Sequence, residues 1–249
     1  MRRPLQMVLL VLSGVGLLHI ALFTDLYLRY VKEGMRPLLI ASGALLILLG
    51  VADAVSSLRR READEHAGHG DDGHGHPDSG APRIAWLLFL PALSLLVYAP
   101  PALGAYTASR EPAKAVAPQD DFDPLPATSP IPITLSDFTS RVQQDRSRAI
   151  EGRPVRMTGF VTFAEQSDSW FLTRIMISCC AADAQSVKVR IHGTPAPSAN
   201  TWVAVTGTWH PGGTLGTSSA SAALDARSVR KVAKPANSYT DALPLTLTR

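Results

Sequence analysis

Three apolar stretches in the first part of this chain constrain its fold more than any other feature. They run from Leu5 to Phe23, from about Pro37 to Val55, and from Ile84 to about Tyr106. Each approaches the ~20 residues that a helix needs to cross a ~30 Å hydrocarbon layer. Pro91 and the pair Pro100-Pro101 predict a kink or an early end in the third. The first stretch follows Arg2 and Arg3, as in a signal peptide. It is longer than a usual signal core, however, and no small-x-small cleavage pattern follows Phe23, so a retained helix is expected. The chain is therefore read as a multi-pass protein of the cell membrane, in contact with lipid.

The bias of Lys and Arg orients these helices. Arg2 and Arg3 precede the first, and Arg59-Arg60-Arg61 follow the second. Both groups belong on the cytoplasmic side, which leaves the loop from Thr24 to Arg36 outside. Arg29, Lys32 and Arg36 weaken that bias without reversing it. If the third stretch spans, everything after Tyr106 is extracytoplasmic. His19 and Asp53 lie within the first two stretches, toward opposite ends of an antiparallel hairpin, and are not expected to pair.

The expected organisation follows. Residues 1–58 form a transmembrane hairpin, 59–83 a cytoplasmic loop and 84–106 a third transmembrane helix. Residues 107–132 form a Pro/Ala-rich linker, 133–235 an extracytoplasmic domain and 236–249 a tail. The cytoplasmic loop holds four of the chain's seven histidines, His66, His69, His74 and His76, among glycines and carboxylates. Neutral imidazole is a common ligand for zinc, copper or nickel, and such composition reads as loose metal capture or as a polar loop with a compositional bias.

The soluble domain alternates in the manner of β-strands. Ser136 is expected to cap a helix that runs to about Ile150. Strands are expected near 154–163, 170–177, 187–192, 201–209 and 223–232, separated by turn residues. Gly159 and Gly207 suit sharply coiled strands. The fold class is thus an α-helical membrane region of three transmembrane helices plus a small, mostly-β soluble domain, an OB-like barrel with one helix. Such barrels often bind nucleic acid. Here Phe160, Phe163, Trp170, Phe171, Trp202 and Trp209 fall within strand runs as core residues. Arg153, Arg156, Arg174, Lys188 and Arg190 alternate with apolar residues as on a solvated face. The net charge is only +3. No nucleic-acid partner is expected.

The two cysteines, Cys179 and Cys180, are neighbours. They cannot staple distant parts of the chain, and a bond between residues ~3.8 Å apart at Cα would be strained and easily reduced. If the chain leaves its strand at Ser178 and makes a helical turn, Cys180 and Asp183 become i, i+3 neighbours. Two thiolates and a carboxylate would then share a soft cation, with His192 or His210 completing the shell. Metal binding, thiol redox chemistry and a plain structural role all stay open on these residues. No Ser/His/Asp grouping, phosphate-cradling loop or paired-carboxylate site marks an enzyme.

The layout of two N-terminal membrane helices, a His-rich loop, a third apolar helix and a soluble domain resembles an uncharacterised bacterial membrane-protein family described as permease subunits. The most specific segments are Phe171-Leu172-Thr173-Arg174 followed by Cys179-Cys180-Ala181-Ala182-Asp183, and Trp202-Val203-x-Val205-x-Gly207. The resemblance implies a multi-helix permease as partner and this chain as its accessory subunit. With the two candidate sites, the expectation is handling of a transition metal, zinc or a similar ion. A docking protein without ligand and an extracytoplasmic thiol-redox module are the alternatives.

Overall fold

The computed structural model describes residues 2–66, 102–113, 116–163 and 170–243, in two compact units. One comprises Met1–Thr24 with Arg36–Ala102. The other comprises Asp25–Met35 with Leu103–Arg249.

The first unit is built on two helices, α1 (Arg2–Phe23) and α2 (Arg36–His66). They pack antiparallel along a seam of glycines. A Cβ on Gly14 would stand 2.7 Å from the Gly43 carbonyl, and one on Gly50 would stand 2.8 Å from Val11 Cγ2. Small residues at such a seam let backbones approach closely, as membrane helices do in the absence of a hydrophobic drive between them. Arg36 caps the end of α1, its Nε donating to the Ala21 carbonyl at 2.8 Å. Leu12, Val15, Leu38, Leu45 and Leu48 face outward, each at least half exposed. Both helices are long and apolar enough to cross a membrane. The expected third span lies outside the described residues up to 101. Its last residues, from Leu103, belong to the other unit.

The second unit is a mixed β-sheet domain. Its strands are β1 (Ile131–Pro132), β2 (Val155–Phe163), β3 (Trp170–Met176), β4 (Gln185–His192), β5 (Trp202–Trp209) and β6 (Ala223–Lys231). They run in the order β1-β2-β3-β4-β6-β5, and β5 also pairs with β2. The pairings from β2 through β3, β4, β6 and β5 thus return to β2. All are antiparallel except β4 with β6. The short β1 adds in parallel to β2.

Period-two alternation sends Val155, Met157, Leu172, Val187, Val189, Ile191, Val203 and Val205 into one core, joined by Leu135, Phe138 and Val142 of a helix. Gly207 sits at a register shift between β5 and β6. A Cβ there would lie 2.2 Å from the Asp225 carbonyl, so the strands can close only around a glycine.

Two short helices complete the unit, α3 (Ala105–Arg110) and α4 (Leu135–Gln144). Thr134, not Ser136, caps α4, its side chain accepting from Asp137 N at 3.0 Å. The helix stops at Gln144 rather than near Ile150, because Asp145 leaves the helical backbone at ψ 95°, and Arg148 and Gly152 take left-handed backbone in the following turns. Ala105 and Ala108 of α3 join Phe160, Ile175, Ile177, Trp202 and Tyr239 in a second small core. Strand β2 therefore buries residues on both of its faces.

Segments expected to be linker and tail are packed onto this domain. The carbonyls of Asp123 and Pro126 accept from Arg141 and Arg153, respectively. Tyr239 is buried and donates its hydroxyl to the Leu103 carbonyl at 2.9 Å. The Asp241 carboxylate accepts from Ser136 N at 2.6 Å at the start of α4 and lies 3.6 Å from Arg174 Nε. Arg174 is accordingly buried, 4.9 Å from the Trp202 ring, and not on a solvated face. Of the six aromatics expected in the core, Phe160, Trp170 and Trp202 are buried, whereas Phe163 is exposed.

Candidate functional site

The cysteine pair lies in the connection between β3 and β4, beyond the end of strand alternation. After Met176, the amide of Ile177 donates to the Tyr239 carbonyl at 3.1 Å. The chain then turns, and Ala181–Asp183 form a single 3-10 turn with Cys180 as its N-terminal flank. Asp183 N donates to the Cys180 carbonyl at 3.0 Å. The Asp183 side chain closes the loop from the other direction, accepting from Ser178 N at 2.9 Å and Cys179 N at 2.7 Å. An aspartate that gathers nearby backbone amides is a common way to hold a tight turn.

This geometry fixes the chemistry of the thiols. Cys179 is exposed, Cys180 half-buried, and both are free. Neither is a core hydrophobe. The Asp183 carboxylate beside the Cys179 thiol, and then Cys180, push its pKa up to about 11. The neighbouring Cys179 side chain, aided by the backbone amides, holds the Asp183 carboxyl below its usual range. At neutral pH, Cys179 is therefore a protonated thiol and a weak nucleophile, since the thiolate is the reactive form.

A second strand of chain holds the turn in place. Val31 pairs antiparallel with Cys180 as an isolated bridge. Lys32 N donates to the Cys179 carbonyl at 3.1 Å, and Ala181 N donates to the Tyr30 carbonyl at 2.7 Å. Asn237 reaches Glu33 at 3.1 Å. The segment Asp25–Met35, which connects α1 to α2 in the sequence, is thus part of the β domain, with Tyr27 and Leu28 buried in it. In the sequence this segment reads as a plain loop. Tyr27, Leu28, Tyr30 and Val31 are its only signal, an apolar and aromatic cluster in an otherwise polar connection.

The remaining expected ligands lie elsewhere. His66 is the last residue of α2, while His69, His74 and His76 fall outside the described residues. His192 and His210 do not complete a shell around the cysteines. β4 starts at Gln185, two residues after Asp183, and ends at His192, ~23 Å away at the usual rise of a strand. Among the described residues, no group of three or more His, Cys, Asp and Glu side chains is gathered to hold a metal ion. The turn holds the exposed Cys179 beside the half-buried Cys180 and Asp183. Each Asp183 oxygen that accepts an amide keeps a further lone pair.

Residues 126–240 match the DUF1980 C-terminal domain. No curated protein and no solved structure matches the chain. The DUF1980 match takes in all six strands, α4, the cysteine turn and Tyr239. It is consistent with the uncharacterised family that the motifs resemble.

Proposed function

We propose that this chain is the accessory subunit of a multi-helix membrane permease and passes a transition-metal ion, zinc or one similar, to or from that partner. Cys179, Cys180 and Asp183 would take the ion on the extracytoplasmic side. His66, His69, His74 and His76 would gather it in the cytoplasm. The observation that carries this reading is the exposed thiol–carboxylate turn, hydrogen-bonded through its backbone to the segment that joins the two apolar helices. Thiols kept at the surface and out of the core suit exchange with a partner.

The same pairing supports the proposed topology. The β domain includes Asp25–Met35, the segment between α1 and α2 in the sequence. This supports a third crossing within 84–106. With Arg59-Arg60-Arg61 in the cytoplasm, the β domain is extracytoplasmic. The ring of strand pairings with one parallel pair, β4 with β6, supports an OB-type barrel.

Metal must displace the Cys179 proton, so affinity depends on pH. Below about 11, the thiol is protonated in the free protein, and rising pH strengthens metal binding by up to about tenfold per unit for each proton displaced. The test uses the full chain, reduced, in detergent, titrated with Zn²⁺ against a chromophoric chelator. We expect one equivalent to be lost in Cys179→Ser with Cys180→Ser, and separate equivalents in the fourfold His→Ala variant. Unchanged stoichiometry in the double serine variant would remove the cysteines from the reading. Circular dichroism of the double variant, with Cys179 exposed and Cys180 half-buried, checks that the fold is kept.

A further inference from the structure

At the end of β4 remote from the cysteines, an open cleft of about 790 Å³ lies between β4, the end of β5 and α4. That volume is in the range of ~300–1,000 Å³ typical of small-molecule sites. Residues two apart on a strand share a face. On β4, Val187, Val189 and Ile191 turn into the core, which leaves Lys188, Arg190 and His192 in one row on the outer face. All three line the cleft, together with His210 just beyond β5. Thr139 and Gln143 of α4 and Ser221 add neutral polar groups. No described lining residue is an acid.

The histidines are arranged, not scattered. Their rings stack at 4.1 Å between centroids, tilted by 19°. Asp225 Oδ1 meets His210 Nδ1 at 2.7 Å from behind, which leaves Nε2 to the other side of the ring. Arg190 rests against the Phe171 ring at 5.4 Å, and Lys188 donates to the Glu111 carbonyl. Among the described residues, neither Lys188 nor Arg190 has a carboxylate within ion-pair distance.

We propose that this cleft binds a phosphate group through Lys188, Arg190, His192 and His210. Two fixed cations and two imidazoles suit a dianion better than a single carboxylate, and planar guanidinium matches phosphate oxygens in pairs. The site is separate from the cysteine turn and does not depend on metal handling.

The groups that face the histidines are Arg190 and Lys188 on β4, Asp225 on β6 and Glu111 before β1. Burial and then His210 hold His192 below the usual imidazole range, with Asp225 acting the other way. Bound phosphate would oppose that depression and raise the His192 pKa toward and above its ordinary value. A phosphate of this kind can be free in solution or carried by a lipid headgroup.

The test follows the His192 and His210 ring resonances, assigned with His192→Gln and His210→Gln, in the full chain held in phosphatidylcholine nanodiscs. One arm adds inorganic phosphate; the other replaces part of the lipid with phosphatidic acid, whose headgroup is a phosphate monoester. A saturable shift with phosphate, weakened at least ~tenfold in Arg190→Ala, supports a soluble ligand. The same shift with phosphatidic acid alone, also lost in Arg190→Ala, assigns the site to lipid headgroups. Arg190 is exposed, so this variant keeps the fold. No shift in either arm, or shifts of equal strength in wild type and Arg190→Ala, would overturn the proposal.

Discussion

Cys179 owes its chemistry to one neighbour, Asp183. Replacing that carboxylate in Asp183→Asn removes the largest cause of the raised thiol pKa, now about 11, and returns the thiol toward the ordinary ~8.5. The thiolate fraction at pH 8 then rises. We expect alkylation of Cys179 by iodoacetamide at pH 8 to accelerate by at least about tenfold, after allowance for the weaker nucleophilicity of a less basic thiolate. Mass spectrometry of the modified peptide would read this. An equal or slower rate would mean that Asp183 does not hold the thiol proton. The pair Cys179-Cys180 and the nearby Asp183 were legible in the sequence as a candidate site. What was not legible was the use of Asp183, since its oxygens are engaged by the amides of Ser178 and Cys179. Such a bond depends on how the loop folds back, and not on residue type alone.

At the scale of elements, the strands were legible and their joints were not. Alternation placed all five longer strands within about two residues of their ends, because each buries one face against a shared core. Gly207 was legible too, as a point of strong coiling. Gly207→Ala would push a Cβ against the Asp225 carbonyl, and we expect a loss of about 1–3 kcal/mol. The weight carried by Asp241 could not be read, because the residue lies in a stretch with no periodicity. Its carboxylate meets the start of α4 and the buried Arg174. Removing one member of a buried pair strands the other, so Asp241→Ala should cost about 3–5 kcal/mol. Thermal unfolding of the full chain in detergent, followed by tryptophan fluorescence, would check both. A change of less than about 1 kcal/mol for Asp241→Ala would show that Arg174 finds other partners.

At the scale of the whole molecule, the number of membrane crossings is the testable quantity. The proposed topology predicts that a green fluorescent reporter inserted after Gly75 fluoresces, and that alkaline phosphatase fused after Arg249 is active, as it is only outside the cytoplasm. Fluorescence of the same reporter at the C-terminus would remove the third crossing and place the β domain in the cytoplasm. It would also put the thiols on the same side as the histidine-rich segment.

Sequence alone determined the two apolar helices, the strand pattern, the close glycine at 207 and the residues of the cysteine turn. Each of these leaves its mark on neighbours in the chain, through hydrophobic period or turn chemistry. Tertiary structure alone decided that Val31 pairs with Cys180, that Asp241 caps α4, and that His192 stacks on His210. Backbone pairing between remote segments draws on amides and carbonyls that nearly every residue carries. No side chain announces it, and only the closed fold selects the partners.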